Sequence, residues 1–119
     1  MVEFQEFIAQ FLENQKIIFN KENGTFHTFW RLKNQDFVIS VSKIHDWLNF
    51  TCILPLNKQK ISKDKLLEFN NRFFGLKMLL SKDDSLAIAF QVSVESILSL
   101  DLKKCFLNIL NAINDLNFD

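Results

Sequence analysis

The sequence predicts an α+β fold, a single antiparallel sheet with helices packed on one face, in the order α-β-β-β-α-β-β-α. Three observations carry this. Apolar residues recur at three-to-four spacing near both ends of the chain. Between them, β-rich runs follow one another with connections of about two residues, too short for a parallel crossover. Two glycines and one proline in 119 residues leave no material for a linker, so residues 1–119 form one domain.

The first helix is predicted over residues 2–15, where Phe4, Phe7, Ile8, Phe11 and Leu12 share a side opposite Glu3, Glu6, Gln10 and Glu13. Ile17-Ile18-Phe19 marks the change to extended chain, and a short strand begins there. Asn23-Gly24 is a turn signal, followed by three runs, Thr25 to Lys33, Asp36 to Lys43 and Trp47 to Leu54. Asn34-Gln35 and His45-Asp46 are the natural turn positions, which makes the three runs a meander, and Pro55 ends it. A helix over 63–74 follows, capped by Ser62 and stopped by Gly75. Leu76 to Lys82 and Ser85 to Val94 flank an Asp83-Asp84 turn. The last helix spans about 102–117, capped by Ser99 or Asp101, with Leu102, Phe106, Ile109, Leu110, Ile113 and Leu116 on one face.

Strand periodicity leaves a second sheet face with mixed character. In the last strand Leu86, Ile88, Phe90, Val92 and Val94 alternate with Ala87, Ala89, Gln91 and Ser93. In the first meander strand Phe26, Thr28, Trp30 and Leu32 alternate with His27, Phe29, Arg31 and Lys33. Small residues beside a phenylalanine suit close approach by another chain, although single apolar side chains also occur on solvated faces. The candidate interface residues are Phe29, Trp30, Ala87, Ala89, Gln91 and Ser93.

Charge and composition narrow the classes of function. Fourteen basic and fourteen acidic residues cancel, so no bulk field attracts phosphate backbones or anionic lipid, and neither nucleic acid nor membrane is expected as a partner. Acids at the N-terminus and the lack of a long apolar run place the protein in the cytoplasm. There Cys52 and Cys105, each in apolar surroundings, read as buried free thiols, with a disulfide as the minor alternative. Heavy use of Phe, Asn, Lys and Ile, all with A/T-rich codons, suggests a microbial source.

No constellation in the sequence calls for catalysis, metal or cofactor. His27 and His45 lack the paired spacing of zinc ligands. Cys105 lies mid-helix among apolar residues, the opposite of an activated thiolate. Gly24 and Gly75 cannot build a phosphate-cradling loop. Asp83, Asp84 and Asp101 are explained by turn and cap duties. Lys58, Lys60, Lys63 and Lys65, balanced by Asp64 and Glu68, read as a solvated surface.

Two phrases, Asp46-Trp47-Leu48-Asn49-Phe50 leading to Leu54-Pro55, and Leu66-Leu67-Glu68-Phe69-Asn70-Asn71-Arg72-Phe73, together with the element order, resemble the YbjN-like proteins. These are labelled bacterial sensory transduction regulators and share a fold with type III secretion chaperones of the Tir-chaperone kind. The resemblance spans nearly the whole chain and implies that fold, a tendency to dimerise and a protein-binding role without enzymatic activity. This chain lacks the acidic excess of the secretion chaperones, a departure that weighs against an effector-chaperone role.

The expected function is therefore a non-enzymatic interaction or regulatory domain, binding a protein partner or itself through the sheet face. Near-zero net charge permits a homodimer. The alternative is a small-molecule binding or catalytic domain, with a pocket between the sheet and the helices 63–74 and 102–117, where Asn70, Asn71 and Arg72 are the candidate polar groups.

Overall fold

A computed structural model describes residues 2–32, 34–57, 76–80, 85–93 and 102–115. Helix α1 (Val2–Asn14) is followed by strands β1 (Phe19–Glu22), β2 (Thr25–Leu32), β3 (Gln35–Ile44) and β4 (Trp47–Asn57). Strands β5 (Leu76–Leu80) and β6 (Ser85–Ser93) and helix α2 (Leu102–Asp115) complete the described chain. The helix expected over 63–74 lies outside the described residues, as do the lysine cluster at 58–65, the Asp83-Asp84 turn and the candidate pocket residues Asn70, Asn71 and Arg72.

All strand pairings are antiparallel, in the spatial order β1-β2-β3-β4-β6-β5. This is the expected α+β sheet, extended by the short strand β1 to six strands. Local chemistry fixes the three tight connections of the β1–β4 hairpins. Asn23 and Gly24 both have positive φ, as the two central residues of a type I′ turn require. Asn34 (φ 63°) sits between Leu32 and Gln35, which are paired, so Gln35 belongs to β3 rather than to the turn. His45 (φ 54°) takes the first central position between the paired Ile44 and Trp47.

Pro55 does not end β4, which runs on to Asn57. A proline lacks the N–H that a ladder needs, and the register with β6 shifts between Ile53 and Asn57, where that N–H is not required. The pairing with β3 has already stopped at Cys52.

Both described helices cover one sheet face. Ile8 and Leu12 of α1 and Leu102, Cys105, Phe106, Ile109, Ala112 and Ile113 of α2 are buried against the row Phe26, Ile39, Val41, Leu48, Phe50, Cys52 and Ile88. Phe106 is the hub: its ring lies 5.4 Å from Phe50, edge-on, 5.5 Å from Trp30 and 6.2 Å from Phe11, stacked. One aromatic side chain thus ties α2 to α1 and to two strands.

Candidate functional site

The opposite face carries no described helix, and the antiparallel register arranges its residues in rows that cross the strands. One row is polar: Asn20 pairs with His27, His27 with Ser40, Ser40 with Thr51, Thr51 with Ala89, and Ala89 with Lys77. The next row is apolar. Phe29 donates its backbone N–H to the Ile18 carbonyl (2.9 Å) and pairs with Val38, while Ile53 pairs with Ala87. Val38 and Ile53 adjoin the paired Ile39 and Cys52, so the row runs from Ile18, just before β1, to Ala87 on β6.

Among the described residues, the large apolar side chains left exposed gather here. Ile18 is 73% exposed, Ile53 56%, Ile44 55% and Trp47 50%, with Phe29 and Val38 close to 40%. Phe7 and Leu107 are the exceptions, on α1 and α2. Ala87, at the β6 end of the row, is buried (6% exposed). Ile44 and Trp47, paired at the mouth of the β3–β4 hairpin, make a second apolar spot at one end of the face.

Polar groups on this face are taken up by their neighbours. His27 Nδ1 and Ser40 Oγ share a hydrogen bond of 2.9 Å, Gln91 donates to Asn49 Oδ1, and the Arg31 guanidinium donates to Asp36 Oδ1 at 2.9 Å. The Arg31–Asp36 pair is largely exposed on both sides, so it caps one end of the face rather than fixing the fold.

Five of the six interface residues expected from the sequence lie together on this face: Phe29, Ala87, Ala89, Gln91 and Ser93. Trp30 does not. Strand alternation points it to the helix-covered side, where its ring meets Phe106 and its indole N–H donates to Thr28 Oγ1 at 2.8 Å. Sequence reasoning missed Val38, Ile44, Trp47 and Ile53. The signal was present for Val38, Trp47 and Ile53, each of which adjoins a buried residue, but it becomes readable only when the parity of β3 and β4 is known, and Ile44, between half-buried Lys43 and exposed His45, carries no such signal.

Elsewhere, Cys52 and Cys105 are free and buried, and burial pushes the Cys52 thiol up to about 12. A groove of about 450 Å³ runs between the first turns of α1, the Asn23-Gly24 turn and the β3–β4 end. A smaller hollow of about 140 Å³ is bounded by Phe11, Trp30, Phe106 and Leu110, with Lys103 at its edge. No group of three or more potential metal ligands occurs among the described residues. None of the described helices is long and apolar enough to cross a membrane.

No protein-family model matches the chain, and no curated protein matches it. Among solved structures it is similar to YbjN from E. coli, a protein whose description as a transcription regulator is provisional. The likeness has a TM-score of 0.64 at 15% identity and covers 92% of this chain and 88% of that one. At that identity it is a likeness of architecture, and the chain has a YbjN-like fold.

Proposed function

We propose that this protein is a non-enzymatic interaction domain of regulatory type, whose sheet face opposite the described helices takes up a protein partner. The observation that carries the reading is the apolar row Ile18, Phe29, Val38, Ile53 and Ala87, which runs from the residue before β1 across β2, β3, β4 and β6 on the side that no described helix covers. Scattered apolar side chains on a wet face need no explanation, but a contiguous row is the pattern of a protein contact.

The chemistry of the other groups supports the same reading. The His27 ring is engaged by Ser40, and a Cys52 thiol raised to about 12 is protonated at neutral pH and so is a poor nucleophile. The similar architecture of YbjN, provisionally a regulator, agrees with it.

A photo-reactive phenylalanine analogue in place of Val38, with a control in place of the exposed Asn111 of α2, tests the proposal in cells. Cross-links to protein from position 38 and none from position 111 are expected. Equal labelling at both positions, or none at position 38, overturns it.

A further inference from the structure

We infer that the groove beneath the first turns of α1 binds a small apolar carboxylate, a molecule with a hydrocarbon body of about eight carbons and one anionic end. The groove has its floor on the helix-covered side of the sheet, at the end where the Asn23-Gly24 turn and the β3–β4 hairpin lie. It is separate from the row Ile18 to Ala87, so this inference and the protein-binding reading stand or fall independently.

The floor and one wall are apolar. Phe26 pairs with Val41 and Lys43 with Leu48, which makes Phe26, Val41 and Leu48 adjoining positions on three neighbouring strands. Phe4 and Ile8, four residues apart and therefore on one side of α1, form the wall beside them. Two strand spacings and two residues along a strand give a floor of roughly 10 by 7 Å. The volume of about 450 Å³ lies in the range of small-molecule sites.

Turn chemistry keeps the groove open. The second central position of the β1–β2 turn has a φ of 81° and calls for glycine, so no side chain fills the space above it. Among the described residues, a Cβ placed at Gly24 would meet only Gln5 Nε2, at 3.7 Å.

The charged groups at the groove are both cations. Lys21, paired with Phe26, holds its ammonium 5.7 Å from the centroid of that ring and donates to Gln5 Oε1. That bond takes one of the three ammonium N–H donors and turns the Gln5 amide so that its oxygen faces Lys21 and its Nε2 faces Gly24. Lys43, half-buried, lines the groove at the β3 end and is the one ionisable side chain among the described lining residues. Two cations and an amide N–H beside an apolar floor select a molecule that is apolar over most of its length and negative at one end. An apolar cation would meet like charge, and a neutral hydrocarbon would leave the donors unmatched. The described lining residues include no arginine fork and a single glycine, so the site suits a carboxylate rather than a phosphate.

Titration of the full chain with octanoate, followed by methyl NMR, tests the inference. Saturable shifts of the Ile8, Val41 and Leu48 methyl groups are expected, with those of Val38 and Ile53 on the opposite face unmoved. Octanol, of the same length but uncharged, should bind about tenfold more weakly to the wild type. Lys21→Met and Lys43→Met should each weaken octanoate about threefold relative to octanol, as partly exposed ion pairs do, and the double variant should bind the two probes alike. The ratio of the two affinities is the readout, so a general loosening of the groove that weakens both probes does not mimic the effect. Equal binding of octanoate and octanol by the wild type overturns the inference, as does a double variant that keeps the preference. So does an absence of saturable shifts at Ile8, Val41 and Leu48, or a response that begins at Val38 and Ile53.

Discussion

At the scale of single residues, a hydroxyl and a thiol in the core show how the helix-covered face disposes of its polar atoms. Thr28 is fully buried, yet its hydroxyl donates to the Ile39 carbonyl at 2.7 Å and accepts from the Trp30 indole at 2.8 Å, so neither side-chain partner is left unmade. Cys52, fully buried on β4, has no such compensation for a negative charge, and desolvation alone raises its thiol from 9.0 to about 12. Between those values the unfolded chain holds fewer protons than the folded one. Stability contributed by the protonated thiol is therefore fully present below pH 9 and lost as pH rises toward 12. Urea unfolding from pH 7 to 11 should show a decline in wild type that is shallower in Cys52→Ala, although the variant starts from a lower plateau because of its cavity. The chain contains no tyrosine to obscure that window, and parallel curves for the two proteins would refute the assignment.

At the scale of elements, the end of α1 is closed by backbone chemistry that its sequence does not favour. Ile17 N–H reaches back to the Leu12 carbonyl at 2.9 Å and Lys16 N–H to the Glu13 carbonyl at 3.1 Å, the two bonds of a Schellman motif. The residue at its left-handed position is Lys16 (φ 58°), where glycine is the usual occupant. The motif persists because it delivers Ile17 to the core beside Leu12. Lys16→Gly should stabilise the protein by about 0.5–1 kcal/mol in urea or thermal unfolding, with Lys16→Ala, which keeps the strained φ, giving no gain. Equal stability of the two variants would show that φ is not the cause.

At the scale of the whole molecule, the division between a face packed by helices and one that no described helix covers governs how substitutions act. Ala89 is half-buried on the latter face, on the polar row. A glutamate there points away from the core, so the far-ultraviolet spectrum and the unfolding midpoint should stay close to wild type. Where a partner chain covers this face, the same carboxylate loses water with the cross-strand Lys77 as its neighbour, and Ala89→Glu should weaken association about tenfold. Sedimentation equilibrium of the complex would move toward 14.0 kDa, and an unchanged mass would place the contact elsewhere.

Periodicity and turn chemistry made most of the architecture legible before any coordinates. Three-to-four spacing located α1 and α2, and Asn23-Gly24 and His45-Asp46 located turns whose positive φ values the structure bears out. Those signals are local: they depend on neighbours in the chain, so they placed the described elements, their antiparallel connections and the α+β class, while the helix expected over 63–74 lies outside the described residues. The sequence by itself also determined that Phe29 and Trp30 must face opposite ways, since alternation along a strand allows nothing else. What alternation leaves open is which of the two rows is buried, and that was decided by tertiary structure alone. The Phe106 ring meets Trp30 and Phe50 across sequence separations that no local pattern spans, and this contact turns one face of the sheet inward. By the same act it leaves Val38, Ile44, Trp47 and Ile53 outside, because a sheet covered by helices on one side must present the other parity to whatever lies beyond it.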